Sequence, residues 1–121
     1  MRRFEFESLV VQALEGLPAQ FLERMDNVDV LVDAKPSKEV MRETGISDDE
    51  TVYGLYQGIP LPDREGYNLA LPDTITIYQD SIEEGCATDA EVVEQVRETV
   101  VHEVAHHFGI TDEQLEAWGI G

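Results

Sequence analysis

All three histidines of the chain fall between positions 102 and 107, in the run His102-Glu103-Val104-Ala105-His106-His107. On an α-helix, at ~100° and ~1.5 Å per residue, His102 and His106 lie about 40° apart around the axis and about 6 Å along it. Both imidazoles can then reach one ion. Glu103 is turned ~100° from His102, beside such an ion rather than on it. That is the division of labour in a metal hydrolase. Two neutral imidazoles hold Zn²⁺, which brings a bound water's pKa to about 7 and polarises a carbonyl, while the neighbouring carboxylate takes the water's proton. The spacing therefore predicts one zinc ion, with His102 and His106 as ligands and Glu103 as general base.

A catalytic zinc takes a third protein ligand. Gly109 can end the helix in a left-handed conformation and let the chain turn back, which makes Asp112 the first candidate. Asp112 can also be read as an acid favourably placed in the first turn of a terminal helix, and Glu116 is the reserve ligand. Thr111 and Gln114 have the spacing of a capping box, so Thr111 can cap that helix and leave Asp112 free. The histidine pair does not share the packing face. At ~100° per residue, Val93, Val96, Val100, Val101, Val104 and Phe108 all fall within about 80° of the direction opposite the pair. His107, about 140° from His102, lies near the apolar stripe and reads as a packed residue or a support to the site.

The elements that must position these residues follow from periodicity. The site helix runs from about Asp89 to Phe108, opened by Thr88 with Glu91 three positions on and closed by Gly109. Phe6, Leu9, Val10, Ala13, Leu14 and Leu17 recur at helical spacing and mark an amphipathic packing helix. Pro18 can start a short helix through Phe21 to about Met25, and residues 37 to 42 can add a helical turn. Strands are expected over Val28 to Val32, Thr51 to Gln57 and Thr74 to Gln79. Gly54 weakens the second. In the third, Ile75 and Ile77 share one face, with Thr74, Thr76 and Tyr78 on the other. Gly58, Pro60, Pro62, Asp63 and Gly66 mark a loop between the last two strands. The expected order is helix, three strands, long helix and short helix, which makes a single α+β domain over residues 1–121.

Composition limits what such a site can serve. A chain of 121 residues with 42% hydrophobic content builds one core. Its 26 acidic and 8 basic residues leave a formal charge of −18. That field repels phosphate backbones and anionic lipid, so neither nucleic acid nor membrane is an expected partner. It solvates the surface, and where acids line a cleft it steers basic peptides. No apolar run approaches the ~18 residues of a membrane span, and acids interrupt the first residues where a signal peptide would be apolar. Cys86 is the single cysteine, which excludes an internal disulfide and a thiolate cluster and fits a reducing cytoplasm.

The block from Arg97 to Glu113, containing His102-Glu103-x-x-His106-x-x-Gly109-x-x-Asp112, resembles the minimal zincin-like metallopeptidases of bacteria, defined by HExxHxxGxxD. Weaker likeness extends through residues 71–78, Gly54-Leu55-Tyr56 and Leu17-Pro18. The resemblance implies a compact zincin-like fold, with a small mixed sheet packed against the active-site helix, and a peptidase in which His102, His106 and Asp112 hold the metal and Glu103 is the base. Metzincins place histidine where this chain has Asp112. Gluzincins draw a glutamate from a later helix. The Glu84-Gly85-Cys86 run is similar to peptide deformylase, but the glycine-rich segment of that family is absent. A peptide or protein substrate is expected to lie extended along strand 74–79 if that strand is an edge. Tyr53, Tyr56, Tyr67 and Tyr78 are candidates for stabilising an oxyanion. The alternative is a non-catalytic metal-binding interaction module, distinguished by a closed site of four protein ligands where a catalytic site keeps an open position.

Overall fold

The computed structural model describes residues 1–58 and 72–120. In chain order these form α1 (Arg3–Glu15), α2 (Ala19–Arg24), β1 (Val28–Asp33), α3 (Lys38–Thr44), β2 (Gly54–Gln57), β3 (Asp73–Tyr78), α4 (Gln79–Glu84), α5 (Asp89–Phe108) and α6 (Asp112–Ala117). The class is α+β, with a mixed three-stranded sheet packed on the long helix α5. The expected loop around Pro60, Pro62, Asp63 and Gly66 lies outside the described residues, as does Tyr67.

Apolar periodicity explains the core. Phe6, Val10 and Ala13 of α1, then Leu17 and Phe21, are buried against Val93, Val96, Val100 and Val104 of α5, with Ile75 and Ile77 from β3 and Ile82 from α4. Full burial of each such side chain contributes about 1.5–3 kcal/mol, so this seam holds α5 in place. Phe108 departs from the expected packing face: it is 39% exposed and meets the Tyr56 and His107 rings edge-on. Helix α4 is also unanticipated. The alternation Thr-Ile-Thr-Ile-Tyr continues into Gln79, which instead opens a helix. Its buried side-chain amide donates to the Met1 carbonyl and to Glu83, and its carbonyl oxygen accepts from Arg3 Nε.

The strand order is β1-β3-β2, with β1 parallel and β2 antiparallel to β3. β3 is therefore central, and both of its backbone edges are taken by sheet hydrogen bonds. This corrects the expectation that strand 74–79 offers a free edge to a peptide. Side-chain alternation reports which face of a strand is buried and carries no information on strand order. Among the described residues, the sheet edge beside α5 belongs to β2.

β2 approaches α5 closely because of Gly54. A Cβ at that position would lie 2.7 Å from Thr99 Cγ2 and 3.1 Å from the Thr76 carbonyl oxygen. Thr99 cannot easily turn away, since its hydroxyl donates to the Gln95 carbonyl at 2.7 Å and accepts from Gln95 Nε2 at 3.2 Å. The glycine that weakens the strand by propensity is what lets the strand meet the helix.

Candidate metal centre

Helix α5 carries the histidine pair on its last two turns. Thr88 Oγ1 accepts from Glu91 N at 3.1 Å to cap its start. Gly109, at φ 67°, ends it in the left-handed conformation, and Ile110 N donates to the Ala105 carbonyl at 2.9 Å. That bond spans the reversal as in a Schellman turn. Buried Ile110 and Leu115 then anchor α6 beside the end of α5. At the start of α6, Thr111 Oγ1 accepts from Gln114 N at 3.1 Å and Gln114 Oε1 accepts from Thr111 N at 3.0 Å. The capping box is complete without Asp112, whose exposed carboxylate stays available.

His102, His106, Asp112 and Glu116 all line one cleft of about 750 Å³ between α5 and α6. Its walls are apolar at Val101, Ala105, Ile110, Leu115 and Ile120 and charged at Glu94, Arg97 and Glu98. A smaller cavity of about 370 Å³ on the other side of the pair is lined by Leu55, Tyr56, His102, Glu103, His106 and His107. A third, of about 510 Å³, runs between residues 50–55 and α5 and again includes His102 and Glu103. His102 borders all three.

The donor set suits zinc in kind: two imidazoles four residues apart, with carboxylates facing them across one cleft. Both Asp112 and its reserve Glu116 face that cleft. Among the described residues, however, no three His, Cys, Asp or Glu side chains converge tightly enough to hold an ion as they stand. His102, His106, Asp112 and Glu116 are all exposed, and none of their side chains forms a hydrogen bond or ion pair with another described residue. Cys86 takes no part. It precedes the start of α5, which lies ~20 Å along the axis from His102 at ~1.5 Å per residue. Burial, with Glu91 nearby, pushes its thiol pKa up, the opposite of what a metal thiolate requires.

Of the tyrosines, Tyr78 is buried, and burial, then the Asp33 carboxylate, raises its pKa. Tyr53 borders the third cavity, and Tyr56 lines the small one beside Glu103. The Tyr56 hydroxyl donates to Asp73 Oδ2 at 2.7 Å, and its ring stacks on His107 with centroids 3.9 Å apart. No sequence pattern links Tyr56 with Asp73, 17 residues later. Arg97 is likewise invisible to motif reasoning. Its guanidinium lies against Gly16 at the end of α1, where a Cβ would be 2.6 Å from Nη2, and Nη1 donates to Glu94 at 3.1 Å. Among the described residues it is the one arginine or lysine lining the large cleft.

No protein of curated function matches the chain. A solved structure described as a conserved hypothetical protein from Thermo thermophilus superposes with a TM-score of 0.62 at 25% sequence identity, covering 89% of this chain and 94% of that one. The sequence profile of zincin-like metallopeptidases matches residues 25–120, which spans β1 to the end of α6 with the whole histidine turn. The chain belongs to the zincin-like metallopeptidase family.

Proposed function

We propose that the protein is a zinc-dependent peptidase with His102, His106 and Asp112 as metal ligands and Glu103 as general base. The observation that carries this reading is the placement of the two histidines on the ridge between cavities, facing Asp112 on one side and sharing the other with Glu103. Zinc held there supplies an acidified water and a Lewis acid for the scissile carbonyl. Glu103 accepts the proton that the attacking water loses and returns it to the leaving amine. It is half-buried and flanks the pair without lining the large cleft, as a base beside the ligand set should. An extended peptide pairs with the outer edge of β2, the strand that borders the cavities shared by His102 and Glu103. Backbone pairing of this kind tolerates many sequences.

The test is Glu103→Gln, whose amide keeps the shape of the side chain but cannot accept the proton. Zinc content and thermal stability should match the parent while cleavage of a mixed peptide library falls ~10²–10⁴-fold. Undiminished cleavage would remove Glu103 from the mechanism. A parent that binds zinc and cleaves nothing would leave the interaction-module reading in its place.

A further inference from the structure

The small cavity beside Glu103 has a wall that the proposed chemistry does not use. Tyr56 on β2 lies over the His107 imidazole, with centroids 3.9 Å and planes 20° apart, and its hydroxyl donates to Asp73 Oδ2 at 2.7 Å. His107 Nε2 stands 3.8 Å from the same carboxylate oxygen. Phe108 meets the Tyr56 and His107 rings edge-on at 5.9 and 4.8 Å. One cluster thus joins the edge strand, the first residue of the central strand and the last turn of α5, one position past His106. The sheet ladder fixes β2 to β3 but not to α5. Contacts that do the latter include Gly54 against Thr99 at the start of β2, and Tyr56 against His107 and Phe108 near its end.

We propose that Tyr56, Asp73 and His107 are positioning residues that hold the outer edge of β2 at a set distance from Glu103. This rests on the reading of β2 as the edge that binds peptide. None of the three is assigned contact with the reacting atoms. They act by fixing where a bound backbone lies relative to the base. Proton transfer needs hydrogen-bond range, and a misplacement of about 1 Å at a reacting centre costs about 10²-fold in rate.

The experiment compares His107→Ala, His107→Phe and Tyr56→Phe with the parent, each loaded with zinc. The readouts are steady-state cleavage of an internally quenched peptide that the parent cuts and hydrogen exchange of backbone amides 54–57. In His107→Ala, kcat should fall ~10²-fold with KM within about threefold, at unchanged zinc content. Exchange at residues 54–57 should quicken, with Val96 and Val100 unchanged. His107→Phe restores a flat ring under Tyr56 and should bring kcat back to within about threefold of the parent. Tyr56→Phe, which loses only the hydroxyl, should fall between the two. If His107→Ala does not fold, Tyr56→Phe carries the same readouts. Parental kcat and exchange in the disrupted variants would overturn the proposal. So would a His107→Phe protein that stays inactive, because the effect would then belong to the imidazole nitrogens. If the parent cleaves no peptide, the peptidase reading fails separately, and unchanged exchange at residues 54–57 alone would still overturn the positioning role.

Discussion

Asp112 and Glu116 lie one helical turn apart on α6 and face the same cleft as the histidine pair. They differ in what precedes them. Asp112 follows immediately on the Gly109 reversal and the Thr111 cap, so its backbone is fixed close to the end of α5. Asp112→Ala should therefore weaken zinc binding by ~10²-fold or more, and Glu116→Ala by less, since outer-shell losses typically cost ~10–100-fold. Paired titrations with a competing chelator check this, and a larger loss in Glu116→Ala would exchange their roles. At this scale the sequence is most informative where residues are close along the chain. The His102, Glu103 and His106 arrangement, the Gly109 stop and the Thr111 cap are all local and all legible. The pairing of Tyr56 and Asp73 with His107 is set by how β2 lies on α5, which no local spacing encodes.

The elements show the same division. Helix α5 is legible at both ends because caps are written into adjacent residues: Thr88 with Glu91, then Gly109. The centrality of β3 is not, since strand order arises from long-range pairing. Gly54 illustrates the difference most sharply. Propensity marks it as a flaw, whereas packing makes it the contact point of β2 and α5. Gly54→Ala should cost about 1–3 kcal/mol by overpacking against Thr99. It should also lower kcat, because the edge strand is pushed off the site helix. Denaturant unfolding together with peptide kinetics measures both, and a variant of parental stability would mean that β2 and α5 are not in tight contact. Gly109→Ala is a different case. Nothing lies within 4 Å of the added Cβ, yet φ is +67°, so the penalty is about 1–2 kcal/mol of backbone strain alone.

Across the whole molecule, a formal charge of −18 meets a cleft lined by Glu94, Glu98, Asp112 and Glu116 against Arg97, which is paired with Glu94. Peptides rich in lysine or arginine should reach the cleft faster than neutral ones. Their advantage in kcat/KM should shrink as ionic strength rises and the Debye length falls from ~10 Å at 0.1 M toward ~3 Å at 1 M. A salt-independent ratio between cationic and neutral peptides would show that the acids serve solvation alone. Among the described residues no helix is long and apolar enough to cross a membrane. The most direct measurement is calorimetric titration of the metal-free protein with zinc, alongside His106→Ala. One ion should bind per chain of the parent, with affinity lowered at least ~10²-fold in the variant. Equal zinc binding by the two proteins would contradict a metal centre on this helix.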